Sequence, residues 1–329
     1  MFIRARLKTS PISLEDLIRS SSHALVIGVG GGGDVVGALA AARFVEFCGL
    51  KFTLGGLSWE RFVYDSVPGP RSLDEIENVK LLHPRVGFAN SRTKSKNNVY
   101  FAESKMAEVC GQDVLLVDIN GGVEEVIDGL ETTLKKLNAD LLIGIDVGGD
   151  SLARGGEKGL RSPLADSIML ATFAEMEKRG VRTLWGIFGY GSDGELTTDE
   201  VEEALSVVAK ARGLLGAWSL TPKVVAELQE VIKRVNTEAS AIPIECALGA
   251  WGEKSIRYDE RKVKMTPLTA LTFYLSPTAI METVARPARN VAKSTSLEEA
   301  NEALHDIGIK SELDIERDRY RKKDPNSDC

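Results

Sequence analysis

The chain repeats one pattern four times, and this repetition limits the folds that it can adopt. Each copy is a short apolar run, a glycine-rich loop that carries an acidic residue, and a segment with helical periodicity, over residues 24–48, 113–137, 140–179 and 181–213. Strands that alternate with helices are typical of a parallel sheet covered by helices on both faces. The sequence therefore predicts an α/β fold with a doubly wound, mostly parallel, Rossmann-like sheet.

Beyond residue 220 the pattern changes, which predicts how the chain is divided. Residues 221–309 combine helices with a hairpin, and residues 310–329 are rich in charge. We expect residues 1–220 to form the Rossmann-like core and residues 221–309 to form an α+β extension packed on it. The charged tail from residue 310 is expected to fray. Residues 65–100 lack a clear period, and we interpret them as an insertion over the sheet edge or the site.

Composition and charge narrow the classes of function. The chain has 329 residues, 43% hydrophobic and 27% charged, which are proportions of an ordinary globular protein. Its net charge of −7 argues against a general surface for nucleic acids or anionic membranes. Four dispersed cysteines without a Cys-x-x-Cys pair indicate a reducing compartment. The sequence shows no apolar signal core and no membrane-spanning run, so we expect a cytoplasmic protein. A homo-oligomer is compatible with the sequence.

The third copy of the pattern ends in the most distinctive loop of the chain. The apolar run Leu141–Val147 contains Asp146 and is followed by Gly148, Gly149 and Asp150. Ligands of open α/β sheets bind just beyond the carboxyl ends of the strands, so both aspartates are expected at that edge. Hard divalent cations take oxygen ligands, which makes such carboxylates candidates for metal binding. The alternative is that the two aspartates only form turns and cap the following helix.

Acidic residues at other strand ends extend this predicted site. Asp34 and Asp193 follow predicted strands, with Glu195 close behind, while Asp118 is explained equally well as a cap of its turn. Neighbouring strands are about 4.8 Å apart, so carboxylates from adjacent strand ends can share one metal or bracket two. Asp166, in the first turn of its helix, is assigned to the helix dipole instead. The predicted ligands of a divalent metal, Mn²⁺ or Mg²⁺, are Asp34, Asp146, Asp150 and Asp193.

The first glycine-rich loop resembles a dinucleotide fingerprint but conflicts with it in charge. Gly28, Gly30 and Gly33 match G-x-G-x-x-G between a predicted strand and a predicted helix. Asp34, however, falls where a pyrophosphate would lie, and no acidic residue follows Leu54 at the end of the second strand, where one is expected. A cation between Asp34 and a phosphate would remove the conflict. The alternative for Asp34 is a favourable interaction with the helix dipole.

The same loops supply candidate groups for binding phosphate. Glycine-rich loops and helix N-termini donate N–H groups to phosphate oxygens, and arginine binds them through paired hydrogen bonds. Arg154 and Arg161 flank a Gly-Gly-Glu stretch, although a solvated surface position is the alternative for each. The predicted phosphate or substrate contacts are Gly30, Gly31, Gly32, Gly33, Ser58, Arg61, Gly121, Gly122, Gly148, Gly149 and Arg161, and the predicted catalytic residues are Asp146, Asp150 and Arg154.

Three motifs resemble a known family. They are Val-Gly-Gly-Gly-Gly-Asp-Val-Val-Gly-Ala, Ile-Asp-Val-Gly-Gly-Asp-Ser-Leu and Arg-Ser-Pro-Leu-Ala-Asp-Ser. Together they are similar to an archaeal family of unknown function, over roughly residues 20–290. The resemblance implies a manganese-dependent phosphatase activity, which composition and spacing do not themselves indicate.

These observations predict an enzyme, a divalent-metal-dependent phosphohydrolase that acts on a small phosphate ester. The metal would lower the pKa of a bound water and neutralise phosphoryl charge, and Arg154 or Arg161 would stabilise the transferring group. One alternative is a nucleotide-sugar or dinucleotide-binding enzyme that uses the same glycine loops. Another is a non-catalytic nucleotide or metabolite-binding protein.

Overall fold

The computed structural model describes residues 13–257 and 260–323, and these residues form an α/β protein. Its helices are α1 (Leu14–Arg19), α2 (Asp34–Phe47), α3 (Ala102–Cys110), α4 (Gly122–Leu137), α5 (Pro163–Lys178), α6 (Thr198–Lys210), α7 (Pro222–Ile232), α8 (Ala241–Ala247), α9 (Pro277–Thr283), α10 (Arg286–Val291), α11 (Leu297–His305) and α12 (Glu312–Lys323). Its strands are β1 (His23–Gly28), β2 (Lys51–Leu57), β3 (Ile76–Glu77), β4 (Lys80–His83), β5 (Val86–Ala89), β6 (Lys94–Ser95), β7 (Val114–Val117), β8 (Leu141–Val147), β9 (Thr183–Phe188), β10 (Leu214–Ser219), β11 (Gly252–Ile256), β12 (Arg261–Met265) and β13 (Leu271–Leu275).

The described residues form a nine-stranded sheet whose central strands are parallel. The full order is β10-β13-β9-β8-β1-β2-β7-β5-β4, and the segment from β9 to β7 is the parallel part. If those parallel strands are numbered along the chain, their order is 3-2-1-4-5, as in Rossmann-like sheets. The predicted fold class is confirmed. In this order the sheet changes its direction of growth between β1 and β8, where such sheets bind ligands.

Helices cover both faces of the sheet because the central strands are apolar on both sides. Every residue of β8 is buried. Leu142 packs in a core with side chains of α4 and α5, whereas Ile143 packs in a second core with side chains of α2. Gly37 lets α2 approach β8 closely, since a β-carbon there would lie 2.6 Å from Cγ2 of Val147. This close approach brings the start of α2, and with it Asp34, to the end of β8.

The region beyond residue 220 contributes one strand, β13, to the central sheet. β13 lies between β9 and β10 and is antiparallel to both, and its Tyr274 and Leu275 are fully buried. The predicted extension, residues 221–309, thus contributes a strand to the sheet of the predicted core. At the other edge, β4 and β5 extend the sheet beyond β7. Residues 80–89 thus form the edge of the sheet itself, whereas we expected residues 65–100 to lie over the sheet edge or the site.

The C-terminal residues form a helix on the core, and the prediction of a fraying tail is wrong for residues 312–323. Leu313 of α12 is only 1% exposed. The carboxylate of Glu316 accepts hydrogen bonds from Nε1 of Trp59 at 3.1 Å and from the backbone N–H of Gly69 at 2.9 Å. The helix is thus held on the core by charged side chains that have specific partners, although its charged composition predicted that it would fray. Residues 324–329 of that prediction lie outside the described residues.

The structure also bears on the predictions about membranes and disulfides. Within residues 13–257 and 260–323, no helix combines the length and apolar character that a membrane span requires. Cys48, Cys110 and Cys246 carry free thiols, as expected from their spacing, and Cys329 lies outside the described residues.

The packing of α12 predicts a large effect of shortening Leu313. Leu313→Ala should lower the free energy of unfolding by about 2–4 kcal/mol, because it removes buried methyl groups and leaves a cavity. Leu248→Ala is a matched control, since Leu248 is 60% exposed and its loss should change the free energy by less than about 0.5 kcal/mol. Urea denaturation measures both values. Equal, small effects would contradict a packed α12.

Candidate metal site

A polar cleft of about 1250 Å³ opens at the carboxyl ends of the parallel strands. It is lined by the loops that follow β1, β2, β8 and β9 and by the start of α5. The turn between β11 and β12 and the residues of α12 complete its wall. The cleft therefore lies at the switch point of the sheet, and the C-terminal region contributes to it.

Asp34, Asp146 and Asp166 lie close together, and Asp34 and Asp166 line the cleft, whereas Asp146 is fully buried beneath it. One carboxylate oxygen from each lies within 4.8 Å of the others. Asp34 is the first residue of α2, Asp146 is in β8, and Asp166 is in the first turns of α5. We name these residues the first acidic cluster. Asp34 and Asp146 were predicted as ligands from the strand ends, whereas Asp166 was assigned to the helix dipole and not to the site.

A second acidic cluster consists of Asp150, Asp193 and Glu195, all buried, with oxygens within 4.8 Å of one another. Asp150 follows β8, while Asp193 and Glu195 follow β9. Burial, and then the charge of Glu195, raises the pKa of Asp193 to about 7. Every aspartate predicted as a metal ligand thus belongs to one of the two clusters. The structure brings them together because β1, β8 and β9 are adjacent and parallel.

Asp146 also closes its own loop. One of its oxygens accepts the N–H of Gly149 at 3.0 Å, and the other accepts the N–H of Ser151 at 3.1 Å and the Ser151 hydroxyl. Gly148 and Gly149 have φ of +120° and +104°, conformations that residues with side chains rarely adopt. Asp146 therefore does form a turn, as the alternative interpretation predicted. The same hydrogen bonds hold the carboxylate in one orientation at the cluster.

Asp34 joins the glycine loop to β8. Its Oδ2 accepts the N–H of Gly30 at 3.0 Å and that of Val147 at 3.3 Å. Burial, and then the nearby charge of Asp146, raises the pKa of Asp34 well above the ordinary value. A carboxylate so placed is costly unless a proton or a cation neutralises it.

Asp166 is buried among other acidic side chains that repel its negative charge. The residue is 2% accessible to solvent, and within the described part of the chain its Oδ1 has no hydrogen-bond partner. Burial raises its pKa, and the charges of Asp146, Asp34, Glu312 and Glu195 raise it further. Strand-end reasoning missed this residue because it lies in a helix. The signal that was available is the Arg-Ser-Pro-Leu-Ala-Asp-Ser motif, which contains it.

Glu195 differs from the other acids because its charge is well compensated. It accepts the N–H groups of Arg161 at 2.6 Å and Ser162 at 2.8 Å, and it pairs with Nη1 of Arg261 at 3.0 Å. Burial acts to raise its pKa, but Arg261 and the Ser162 hydroxyl outweigh burial and leave the pKa lowered. Glu195 is therefore ionised, and most of its hydrogen-bonding capacity is used by these partners. Its carboxylate has a fixed position at one side of the second cluster.

The N-terminus of α5 is occupied by carboxylates of the protein itself. Glu312 of α12 accepts the N–H groups of Leu164 at 2.9 Å and Ala165 at 2.8 Å. Burial raises the pKa of Glu312 to about 8. With Glu195 bound to the preceding residues, and with no N–H on Pro163, this helix end has little capacity left for phosphate. Sequence reasoning missed Glu312 because it placed the residue in a fraying tail.

The first glycine loop lines the cleft, but part of its hydrogen-bonding capacity is used internally. The N–H of Gly30 binds Asp34, and that of Gly32 donates to the Trp59 carbonyl at 2.9 Å. Gly31 and Gly33 also line the cleft. The predicted phosphate contacts in this loop thus all line the cleft, and two of their N–H groups already have acceptors.

Other predicted contacts lie away from the cleft. Ser58 is fully buried, and its hydroxyl donates to the Arg71 carbonyl at 2.6 Å. Gly121 and Gly122 begin α4, where a β-carbon on Gly122 would lie 2.6 Å from the Ser294 carbonyl oxygen. Asp118 pairs with Arg85 and accepts the N–H of Asn120, which supports its interpretation as a turn cap. Gly148 and Gly149 shape the β8 loop but do not line the cleft.

The predicted arginines separate in the structure. Nη1 of Arg154 pairs with Glu203 at 2.9 Å, and Arg154 lines a smaller pocket, so its predicted catalytic role is not supported by its position. Arg161 lines the cleft, but its Nη1 donates to the carbonyls of Lys158 and Leu160. Arg61 lines the cleft as predicted.

Comparison with protein families identifies the group to which the chain belongs. Residues 25–320 match the family model described as "Protein of unknown function (DUF1152)", so the chain is a member of that family. The match includes most of α12 and the whole of the cleft. Comparisons with curated proteins and with solved structures each gave no significant match.

The raised pKa values predict how stability depends on pH in metal-free protein. Asp193 and Glu312 have folded-state pKa values of about 7 and about 8, against ordinary values of 3.8 and 4.5. At pH values between the ordinary pKa of each group and its folded-state pKa, the native state binds more protons than the unfolded chain. The free energy of unfolding should therefore fall as pH rises through this range. Urea denaturation in a chelator at about pH 5 and about pH 8 measures the change. Asp193→Asn should reduce the slope, and stability that is constant or rises over this range would contradict the prediction.

Proposed function

We propose that this DUF1152 protein is a divalent-metal-dependent phosphohydrolase that acts on a small phosphate ester. In this proposal Asp34, Asp146 and Asp166 hold Mn²⁺ or Mg²⁺, and Asp150 and Asp193 contribute a second set of ligands. The observation that carries the proposal is Asp166, a buried carboxylate with an unpartnered oxygen among other carboxylates. Buried charges of this kind are normally paired or coordinate a metal.

The chemistry of the donors fits a hard cation. Both acidic clusters consist only of aspartate and glutamate, without histidine or cysteine. Oxygen donors suit Mg²⁺ and Mn²⁺, whereas zinc sites usually include nitrogen or sulfur. Because the hydrogen bonds to Asp146 and Asp34 fix those carboxylates before any ion arrives, little side-chain entropy remains to be lost on binding. The residues present therefore fit a divalent metal.

The arrangement also suits phosphate ester chemistry. A bound divalent cation supplies Lewis-acid activation of water and neutralises phosphoryl charge. The protein contributes a cleft in which the acidic clusters border cationic side chains, among them Arg61, Arg261 and Lys262. Such a cleft favours a ligand that brings an anionic group to a cation held by carboxylates. A small phosphorylated substrate, a cytoplasmic location, and the absence of nucleic-acid or membrane partners are parts of this proposal.

The 3-2-1-4-5 strand order favours a second candidate, a nucleotide-sugar or dinucleotide-binding enzyme. Two features argue against direct binding of a pyrophosphate. Asp34 lies at the start of α2, where its charge would repel the ligand, and its carboxylate already accepts the N–H of Gly30. A dinucleotide would therefore have to bind through a cation or by another part of the loop. A non-catalytic nucleotide or metabolite-binding protein would use the same cleft without turnover.

Substitution of the first acidic cluster tests the proposal. Asp34→Asn and Asp166→Asn should each raise the Mn²⁺ concentration for half-maximal hydrolysis of an aryl phosphate by about tenfold or more, because each removes a ligand charge. The melting temperature of the metal-free variants should stay the same or rise, since repulsion among buried acids is relieved. The increase in melting temperature on addition of Mn²⁺ should be smaller than in the wild type, which reads metal binding without turnover.

Asp118→Asn is the matched control, because Asp118 follows a parallel strand but lies outside the cleft. Its loss of the pair with Arg85 should lower stability without moving the Mn²⁺ titration. Equal turnover after exhaustive chelation, or unchanged titrations for both cluster variants, would reject the metal-dependent enzyme.

A further inference from the structure

Arg61, Arg257 and Arg261 line the same cleft as the acidic clusters although they come from distant parts of the chain. Arg61 follows β2, while Arg257 and Arg261 flank the turn between β11 and β12. Sequence analysis singled out only Arg61, as one of several loop contacts. The sheet and the hairpin together bring the three guanidinium groups to one cavity.

The positive charges of these arginines are incompletely balanced. Arg261 pairs with Oε1 of Glu195 at 3.0 Å, and Arg257 reaches the same oxygen only at 3.9 Å. Within the part of the chain that the structure describes, Arg61 has no acidic partner within 4.0 Å. Burial and then the charge of Arg261 lower the pKa of Arg257, although the charges of Glu195 and Asp193 act to raise it. Arg257 and Arg261 thus share one carboxylate oxygen, and the other oxygen of Glu195 is held by backbone N–H groups.

Several backbone features make room for these side chains. Arg257 has φ of +54°, a conformation that costs a residue with a β-carbon about 1 kcal/mol or more. Its N–H donates to Glu238 at 3.1 Å, which holds that conformation. A β-carbon on Gly32 would lie 3.0 Å from Cγ of Arg61, and one on Gly194 would lie 3.1 Å from Cβ of Arg261. The glycines therefore provide clearance for the arginines.

We propose that Arg61, Arg257 and Arg261 form an anion subsite that binds the phosphate group of the substrate. This proposal rests on the proposed function for the identity of the substrate, but the subsite itself needs only the arginines. Guanidinium groups are planar and bind phosphate oxygens in pairs, so they suit a tetrahedral dianion. Nη1 of Arg261 also donates to the carbonyl of Asp193 at 2.9 Å. A phosphate at the arginines therefore lies beside the second acidic cluster.

The subsite accounts for two other observations. The N–H groups of Arg161, Ser162, Leu164 and Ala165 at the start of α5 are bound to the protein's own carboxylates. Arg154, the other predicted phosphate ligand, pairs with Glu203 outside the cleft. Arg61, Arg257 and Arg261 are then strong phosphate donors of the cleft that these contacts leave available. The ligand class that fits these groups is an anion such as a phosphate monoester, because guanidinium groups bind phosphate oxygens through paired hydrogen bonds.

The binding of inorganic phosphate tests this assignment without requiring hydrolysis. Isothermal titration calorimetry of the full chain, in one buffer with Mg²⁺ and one with a chelator, gives the dissociation constant. Arg257→Gln and Arg61→Gln should each weaken phosphate binding by about tenfold or more, because each removes a charged donor. Arg257→Lys should weaken it less, since the charge remains but the paired geometry is lost.

Arg179→Gln is the control of equal charge change, because Arg179, at the C-terminal end of α5, pairs with Glu175 of α5 and Glu131 of α4 and does not line the cleft. It should bind phosphate like the wild type, and melting temperatures confirm that each variant is folded. Phosphate affinity that falls in both subsite variants supports the subsite, even if no phosphatase activity is ever found. Equal affinity of the wild type and both Gln variants, or no phosphate binding by the wild type in either buffer, would overturn it.

Discussion

The desolvation of several carboxylates that lie close together is the constraint on which the rest of this structure depends. Asp34, Asp146, Asp150, Asp166 and Asp193 are brought together at the switch point of the sheet, and burial raises the pKa of every one of them. A protein retains such an arrangement only if protons or cations neutralise it. The folded chain without a cation therefore carries an energetic cost that a bound divalent metal would relieve.

The surrounding structure limits this cost without removing it. Backbone N–H groups bind Asp146 and Asp34, and Arg261 with Ser162 compensates Glu195, so part of the negative charge is solvated by the protein. Asp166 is left with an oxygen that has no partner among the described residues. The distribution is what a metal-binding site needs, because some carboxylates are fixed in orientation while another retains unused coordinating capacity.

The C-terminal region completes the site instead of lying beside it. β13 joins the central sheet, Arg257 and Arg261 flank the turn between β11 and β12, and α12 places Glu312 on α5. These contacts link acidic and cationic groups that are far apart in sequence. Changes in α12 can therefore affect the cleft through α5, even though α12 is distant from the strand-end loops along the chain.

Local properties of the sequence determined the fold class and the strand-end acids. Apolar runs of strand length, followed by glycines and an aspartate, predict both a buried parallel strand and the edge at which Asp34, Asp146, Asp150 and Asp193 lie. Tertiary structure alone decided the rest. Asp166 and Glu312 enter the site through packing of α5 and α12, and Ser58 and Arg154 are turned away by their partners Arg71 and Glu203. The direction of a side chain and its pairing with residues far along the sequence depend on how the helices and strands pack. The local pattern of residues therefore does not predict them.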